Sequence, residues 1–544
     1  MSQNLPENLD DSDIKRLAAL SEGLTGEYAA VRDLHTGRQL VSVRTASPTD
    51  VDAAIREARI AQLRWYRMGE YGRSVVISKF ISRIYERYDQ SVALVKVLAG
   101  KAHADATDEV LDILSTGRAC AELTRRANLT KRGAGIIPLL TNYRTVYMPV
   151  GVVSFFTLPD FPLASVNDLL QPLVSGNAVI EYCHAQGALG SYFVRQQFIE
   201  AGLPSGLWQI MPGTDRETGI SAIGQTDHVA FMGPTEEGYR VATIAQDDFI
   251  PSTLFLSVKN SAIITADSNL EYAARALVRT AFQDSGQAST HYESAYVERA
   301  VYDRFLELCR DFTEKQIRIG TYNDPKATMG PLNSEAHLER VEFHVQDAVS
   351  GGANLLTGGN ARPDIGPLFY EPTILTDVPA EAAVVHEETY GPVLCIYPYD
   401  NVQDAIERVN DNVYGYILMI YTADMKLASH IANRVNVAAI TVNDGYATLY
   451  STWDTPMQGW NESGNGIRHG IEGIRQYTKI RSIARMKYVS WVPEDMSPGN
   501  RTEQLSYQVI RLNQLWANLF VNNRVARFLH QQGARLRQLL SSTI

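Results

Sequence analysis

Apolar positions recur every three to four residues near the start of the chain and predict amphipathic helices over 51–70 and 72–98. A third helix is predicted over 187–201, because Gly202 and Pro204 end the periodic stretch. Short apolar runs of strand type occur at 149–156, 177–181, 207–211 and 227–232. Helices and strands therefore alternate, which is the pattern of an α/β protein with mainly parallel sheets.

The same alternation returns in the second half of the chain, from about Thr253 onward. A strand-like run at 293–297 precedes a long helix predicted over 299–314. A β-α-β-α-β series is predicted from Val393 to Asn443. The most apolar stretch, Met148 to Val166, contains three prolines and is interpreted as a buried strand with its turn. We therefore predict two α/β units.

Composition and charge narrow the class of protein. The chain has 544 residues, of which 45% are hydrophobic and 20% charged, so it is long enough for several globular domains. A net charge of −11 argues against a nucleic-acid binder, because phosphate binding needs a dense basic surface. The four cysteines (Cys120, Cys183, Cys309 and Cys395) form no metal-ligand pattern. Without a secretory signal, a cytoplasmic protein with reduced thiols and no metal is expected.

The last 44 residues differ in character from the rest of the chain. Residues 501–544 contain six Arg and one Glu, and their apolar positions fall near helical spacing. One interpretation is a helix that packs on its own core or on a partner subunit. The other is a basic amphipathic helix that makes a peripheral membrane contact or a protein contact. The sequence leaves both open.

Common catalytic motifs are missing from the sequence. We find no phosphate-binding GxxxxGK[ST] loop, no HExxH, no GxSxG and no GxGxxG after a strand. The glycines at 464, 466 and 470 have a different spacing, which loop structure explains. Kinase, zinc-protease and α/β-hydrolase functions thereby lose their main support.

Seven segments, in order, resemble the aldehyde-dehydrogenase superfamily over roughly residues 30–490. They are PLVSGNAVI (172–180), DHVAFMGPTEEG (227–238), TLFLSVKNSAII (253–264), FQDSGQAS (282–289), GPLFYEPTILTDV (366–378), EETYGPVLCIYPYDN (387–401) and ITVNDGY (440–446). The fifth segment with its preceding GGNARPDI (358–365) is most similar to an NADP-linked succinate-semialdehyde dehydrogenase branch.

The resemblance implies an α/β fold with three parts. A dinucleotide-binding, Rossmann-like domain would take residues 25–129 and 151–252, and a catalytic α/β domain would take 253–450. A small β oligomerisation arm with the C-terminal return would use 130–150 and 451–490, followed by the basic tail at 491–544. A homo-oligomer, either a dimer or a tetramer, is the partner arrangement that the family implies.

The resemblance also places three altered residues at the catalytic positions. Ser289 stands where the family's FxxxGQxC motif has its cysteine nucleophile, and a hydroxyl is far less acidic than a thiol. Phe255, 34 residues earlier, stands where the LELGGK motif has its general base, and phenylalanine cannot accept a proton. Asp160 stands where an Asn donates to the oxyanion, and an ionised carboxylate would repel that charge.

The cofactor positions are altered less uniformly. The resemblance assigns five residues to this site: Tyr182, Gly213, Gly233, Gly238 and Glu388. Tyr182 replaces the lysine that holds the adenosine ribose, whereas Glu388 matches the carboxylate that holds the nicotinamide ribose. In the pyrophosphate loop Pro234 replaces a serine, which removes a hydroxyl and a backbone donor. Binding of NAD or NADP is expected to be weak or lost.

Three hypotheses follow for function. The leading one is a pseudoenzyme with a scaffold or regulatory role. The alternative is active NAD(P)+-dependent oxidation of a semialdehyde, such as succinate semialdehyde, to the acid. That alternative would require another thiol, Cys183 or Cys395, to enter the pocket. The third is docking on a membrane or a protein through residues 501–544.

Overall fold

The computed structural model describes residues 5–126, 129–134, 141–213, 216–445 and 447–486, together with 497–498, 503–504, 507–508, 510–511 and 514. The expectations for the tail at 491–544 therefore lie almost entirely outside the described residues. The chain divides into two units: Met1–Ala127 with Pro149–Thr478, and Asn128–Met148 with Lys479–Ile544.

The α-helices in chain order are α1 (Asp11–Ala18), α2 (Pro48–Arg67), α3 (Gly69–Glu86), α4 (Tyr88–Leu98), α5 (His103–Arg126), α6 (Ser165–Ser175), α7 (Ala188–Ala201), α8 (Glu217–Ile220), α9 (Thr235–Asp247), α10 (Leu270–Phe282), α11 (Tyr302–Gln316), α12 (Glu335–Ser350), α13 (Ala383–His386), α14 (Val402–Asn410), α15 (Met425–Ala432), α16 (Ala447–Ser451) and α17 (Gly470–Arg475).

The β-strands in chain order are β1 (Tyr28–Arg32), β2 (Gln39–Arg44), β3 (Thr130–Ala134), β4 (Thr141–Pro149), β5 (Val152–Phe156), β6 (Ala178–His184), β7 (Trp208–Gly213), β8 (His228–Met232), β9 (Ser252–Phe255), β10 (Asn260–Ile264), β11 (Tyr292–Glu298), β12 (Asn354–Thr357), β13 (Thr373–Thr376), β14 (Val393–Tyr399), β15 (Tyr414–Gly415), β16 (Ile417–Tyr421), β17 (Ala439–Val442), β18 (Met457–Gln458), β19 (Trp460–Asn461), β20 (Ile467–Arg468) and β21 (Thr478–Met486).

Local sequence explains where the predicted helices begin and end. At the start of α2 the side chains and backbones of Ser47 and Asp50 form a reciprocal capping box. At the end of α7, Gly202 adopts a left-handed conformation (φ +113°), as predicted. The single helix predicted over 72–98 was wrong, because Arg87 leaves helical values (φ −112°, ψ 28°) and separates α3 from α4. Both helices bury an apolar face, so the periodicity continues through the bend.

A five-stranded parallel sheet lies at the centre of the first α/β half, in the order β7-β6-β5-β8-β9. Every residue of β5 and of β8 is buried, as expected of strands that are covered on both faces. The strand order reverses between β5 and β8. In open α/β sheets, ligands bind outside the carboxyl ends of the strands at such a switch point.

A seven-stranded sheet forms the second half, in the order β12-β13-β14-β11-β10-β16-β17. Only β12 runs antiparallel to its neighbour among these described strands. The β-α-β-α-β series predicted from Val393 to Asn443 is confirmed by β14, α14, β16, α15 and β17. The α/β fold class with mainly parallel sheets is thus confirmed.

The second unit contains a three-stranded sheet in the order β21-β4-β3. Strands β3 and β4 pair antiparallel, from Thr130 with Val146 to Ala134 with Asn142. Strand β21 is an edge strand, and its residues are largely exposed. Across the described parts of the chain, no helix has both the length and the hydropathy needed to cross a membrane.

Candidate active site and cofactor cleft

Ser289, Phe255 and Asp160 line one cavity of about 120 Å³. Phe255 is the last residue of β9, Asp160 lies in the turn after β5, and Ser289 lies in the turn before β11. Residues that are far apart in sequence therefore meet near the carboxyl ends of two parallel strands. The structure brings together all three residues that the resemblance places at catalytic positions.

The loop that carries Ser289 is fixed from several sides. The Asn260 side chain donates a hydrogen bond to the Ser289 carbonyl at 2.9 Å. The preceding turn holds Asp284 and Ser285 at positive φ (51° and 57°), which is uncommon for residues other than glycine. At Gly286 a Cβ atom would collide with the Gly391 carbonyl, so only glycine allows this approach. These contacts fix the backbone at Ser289.

Arg468 is the cation beside the Ser289 hydroxyl. Its Nη1 donates to Ser289 Oγ at 3.2 Å and to the Tyr416 hydroxyl at 3.1 Å. No carboxylate or imidazole of the described residues accepts a hydrogen bond from this hydroxyl. Deprotonation of a serine requires such an acceptor. The Ser289 hydroxyl thus contacts a hydrogen-bond donor, and among the described residues no base bonds it directly.

Arg468 itself is held by a nearly buried ion pair. Its Nε and Nη2 donate to the two oxygens of Asp168 at 2.8 and 3.2 Å, and the side chains are 14% and 11% exposed. The guanidinium carbon lies 4.8 Å from the centroid of the Phe255 ring. This arginine therefore packs on the residue at the general-base position and contacts the residue at the nucleophile position.

Sequence reasoning missed Arg468 and Asp168. The available signal was the glycine cluster at 464, 466 and 470, which surrounds Arg468 and was explained as loop structure. In the fold, a Cβ at Gly466 would come within 2.5 Å of the Phe255 ring. The glycine therefore lets this loop approach the site closely enough to place Arg468 there.

Asp160 is 4% exposed, and its two oxygens have different environments. Its Oδ2 accepts a hydrogen bond from the Tyr390 hydroxyl at 3.1 Å, whereas Oδ1 has no hydrogen-bond partner among the described residues. Burial raises the pKa of Asp160 to about 6, against the opposing effects of the Tyr390 hydroxyl and of the cations Lys101 and Arg216. At pH 7 this carboxylate is therefore mostly ionised.

Glu388 lines the same cavity of about 120 Å³. Its Oε1 accepts a hydrogen bond from the backbone N–H of Val258 at 2.9 Å. Burial raises the pKa of Glu388, and the nearby Glu293 carboxylate adds to this effect. The structure thus gives Glu388 a backbone partner, and its role toward a ribose stays a prediction.

A larger cleft of about 1150 Å³ opens at the carboxyl ends of β5, β6 and β7. Tyr182, Gly213 and Pro234 line this cleft, whereas Gly233 lines the smaller cavity. Gly238 lies in the first part of α9, where a Cβ would collide with the Leu256 side chain. The cleft is large enough for a dinucleotide, since ligand pockets typically measure ~300–1,000 Å³.

An ion pair occupies the glycine turn before α9. Arg216 Nη1 donates to Glu237 Oε2 at 2.6 Å, and a Cβ at Gly233 would lie 2.5 Å from the same Nη1. Glu237 lies in the first turn of α9, where free backbone N–H groups favour a bound anion. The side chains of this pair therefore line the cleft beside the glycine turn.

Tyr182 also lines this cleft. Its side chain is buried, and its ring stacks on Phe156 with the centroids 4.8 Å apart. A Cβ at Gly219 would come within 2.7 Å of the ring. An aromatic ring thus packs where the resemblance expects a lysine that holds a ribose.

The four cysteines are all buried, and none lines the smaller cavity. Cys183 lines the larger cleft, and burial raises its pKa well above that of an ordinary thiol. Burial also raises the pKa of Cys395 to about 11. The thiol that the active-enzyme hypothesis requires is therefore not present in the pocket. No group of three or more His, Cys, Asp or Glu in the described ranges could hold a metal ion.

The chain belongs to the aldehyde dehydrogenase family, because residues 22–483 match the model described as "Aldehyde dehydrogenase family". Among its relatives are two proteins named putative succinate-semialdehyde dehydrogenase [NADP(+)] 2. The one from Mycobacterium tuberculosis is 31% identical over 503 residues, which covers 92% of this chain and 96% of the relative. The one from Mycobacterium ulcerans is 32% identical over 496 residues, covering 91% and 96%.

Solved structures show the same fold. An NADP-dependent enzyme from E. coli superposes with a TM-score of 0.81 at 26% identity, over 85% of this chain and 95% of that one. The NAD+ complex of an aldehyde dehydrogenase from Bacillus cereus superposes with a TM-score of 0.80 at 26% identity, over 85% and 93%. These findings confirm the aldehyde-dehydrogenase resemblance and its fold.

Proposed function

We propose that this chain is a catalytically silent member of the aldehyde dehydrogenase family with a scaffold or regulatory role. The observation that carries the proposal is the position of Arg468, whose guanidinium bonds Ser289 and packs on Phe255. Oxidation through a covalent intermediate needs a nucleophile and a base that can activate it. At these two positions the pocket offers a hydroxyl and an aromatic ring, and the hydroxyl bonds a cation rather than a base.

Asp160, at the position of the oxyanion donor, also supports the proposal. Attack on an aldehyde builds negative charge on its oxygen, and enzymes stabilise that charge with donors placed in advance. A carboxylate that is ionised at neutral pH places negative charge at this position. Each of the three altered residues therefore opposes oxidation of an aldehyde through a covalent intermediate.

We infer that NAD or NADP binds weakly or not at all. The cleft has the volume, but the Arg216–Glu237 pair occupies the glycine turn and Tyr182 supplies no cation. Glu237 also adds a negative charge at the helix terminus that would face the phosphates. The residues present do not fit the cofactor, so no chemical step is assigned to it.

One specific observation favours the second candidate, oxidation of a semialdehyde with NADP: relatives of over 90% mutual coverage are named putative succinate-semialdehyde dehydrogenases. A turnover assay decides between the two. Purified protein is incubated with succinate semialdehyde and either NADP or NAD, and reduced cofactor is followed by absorbance.

We expect no turnover above the background of a Ser289→Ala variant. Turnover at ordinary enzyme rates that Ser289→Ala abolishes would end the silent-pocket proposal and establish the second candidate. Turnover that Ser289→Ala leaves unchanged would place the activity at another group or in a contaminant.

A further inference from the structure

We propose that the cavity of about 120 Å³ binds a short ω-amino carboxylic acid, with its ammonium group at Asp160 and its carboxylate toward Arg340. This inference deepens the proposed function and depends on it, because it assigns an occupant to a pocket that no longer oxidises aldehydes. The relatives' pocket needs a donor for an aldehyde oxygen at this point. Here Asp160 is a hydrogen-bond acceptor, so the ligand must supply the hydrogen-bond donor.

The unpartnered oxygen of Asp160 is the first argument. A buried carboxylate oxygen without a hydrogen-bond partner costs free energy, and folded proteins rarely retain such atoms without a reason. Asp160 lines this cavity and also the larger cleft, its Oδ1 is buried, and the Tyr390 hydroxyl donates only to its Oδ2. An ammonium or amine N–H would supply the missing donor in a charge-assisted hydrogen bond.

The neighbouring Lys101 does not donate a hydrogen bond to this oxygen of Asp160. Lys101 Nζ lies 3.0 Å from Glu109 Oε2 and 3.2 Å from Asp284 Oδ1, so two carboxylates already neutralise its charge. The same ammonium lies 3.7 Å above the Phe161 ring. Asp160 therefore forms no direct ion pair among the described residues.

The cavity walls suit a cation as well. Four aromatic side chains line it: Phe161, Phe255, Tyr390 and Tyr416. Aromatic faces attract ammonium groups through their ring quadrupoles. Lys101 already lies over Phe161 and Arg468 over Phe255, so Tyr390 and Tyr416 are the rings left for a ligand. The two carboxylates that line the cavity, Asp160 and Glu388, together with these rings favour an amine over a neutral carbonyl.

Arg340 is the residue that would bind the carboxylate at the other end of the ligand. It lies on α12, is exposed, and lines the cavity, so it stands where the cavity meets solvent. Arg468 is less suited to hold a carboxylate, because Asp168, Tyr416 and Ser289 already accept its hydrogen bonds. A cavity of about 120 Å³ is small beside the ~300–1,000 Å³ of typical ligand pockets, which limits the ligand to a short chain.

Isothermal titration at pH 7.5 with 4-aminobutanoate tests the proposal. Three ligands of similar length serve as comparisons: n-butylamine lacks the carboxylate, butanoate lacks the amine, and succinate carries a carboxylate at both ends. We expect 4-aminobutanoate to bind most tightly and n-butylamine less tightly. Butanoate and succinate should bind at least about tenfold more weakly than 4-aminobutanoate, since neither offers a cation to Asp160.

Two variants locate the ends of the ligand. Asp160→Asn keeps the shape but removes the charge, and it should weaken 4-aminobutanoate and n-butylamine by about tenfold or more. Arg340→Gln should lower the affinity for 4-aminobutanoate to that for n-butylamine and leave n-butylamine unchanged. Melting curves verify that both variants are folded.

Three results overturn the proposal: no binding of 4-aminobutanoate, tighter binding of succinate, or an affinity that Asp160→Asn leaves unchanged. Each of these leaves the silent-pocket proposal intact if succinate semialdehyde is still not oxidised. Oxidation of the semialdehyde would instead remove the proposed function on which this inference rests.

Discussion

Asp160 makes the folded protein less stable at neutral pH than an uncharged residue would. Burial raises its pKa from the ordinary 3.8 to about 6, so folding favours the protonated form. The cost is absent below pH 4, grows between pH 4 and 6, and is complete above pH 6. At 1.36 kcal/mol per pKa unit it amounts to about 3 kcal/mol.

Asp160→Asn should therefore raise the melting temperature at pH 7.5 and have no effect near pH 4. The charged and titratable groups around Asp160 are Tyr390, Lys101, Arg216 and Glu109, and both proteins retain them. Melting curves of the two proteins between pH 4 and 8 measure the difference. A difference that stays constant over this range would mean that Asp160 is not the titrating group.

Ser289 offers a second test at the residue scale. The native thiols are buried, with the pKa of Cys120 raised to about 12 and that of Cys395 to about 11, so they should resist alkylation in the folded state. A thiol introduced by Ser289→Cys would lie beside the Arg468 guanidinium, which favours the thiolate.

We expect iodoacetamide at pH 7 to modify the Ser289→Cys protein once, at the new thiol, at least about tenfold faster than the wild type. Intact-protein mass spectrometry follows the reaction. The double variant Ser289→Cys with Arg468→Gln is the control and should react more slowly. Equal rates for the single and double variants would show that Arg468 does not influence this position.

The N-terminus of α9 is the element that decides whether a dinucleotide can bind. Glu237→Gln removes a negative charge from the first turn and releases Arg216 for a phosphate, so NADP should bind about tenfold more tightly. Arg216→Gln should bind NADP no better than the wild type does. Fluorescence titration with NADP measures both.

Glu236 provides a matched control on the same turn. It is also acidic and exposed, but Arg216 contacts Glu237. Glu236→Gln should therefore improve NADP binding less than Glu237→Gln does. An equal improvement by both variants would mean that only the net charge of the turn matters, and that the ion pair over Gly233 has no specific role.

Sequence periodicity predicted the elements whose apolar residues form an uninterrupted pattern with a clear end. The buried strands β5 and β8 and the helix α7 were predicted within a few residues for this reason. The bend at Arg87 was not, because both helices on either side bury apolar faces. Periodicity reports which residues are buried, and it carries no information on the direction of the chain.

The candidate site was predictable only where a family motif marked it. Ser289, Phe255 and Asp160 were placed by motif register, and the fold brings them to one cavity. Arg468 and Asp168 are 300 residues apart, and no local pattern joins them. Their pairing follows from tertiary packing of α6 against the C-terminal loop, which a single sequence does not reveal.

At the scale of the whole molecule, the edge strand β21 is where association between copies is expected. Family members of this fold commonly form homo-oligomers, and an exposed strand edge offers unpaired backbone groups to another chain. Ile480 on this strand is 66% exposed, and strand pairing with a second copy would cover it. We therefore expect the wild-type protein to be a dimer or a tetramer.

Ile480→Lys should shift this assembly toward monomers, because a charged side chain at an edge opposes further strand pairing and the apolar contact is lost. Size-exclusion chromatography with light scattering gives the mass at several protein concentrations. Arg481→Lys changes the adjacent residue on the other face of the strand and retains its charge, so its mass should equal that of the wild type. If Ile480→Lys also retains the wild-type mass, association uses a surface other than β21.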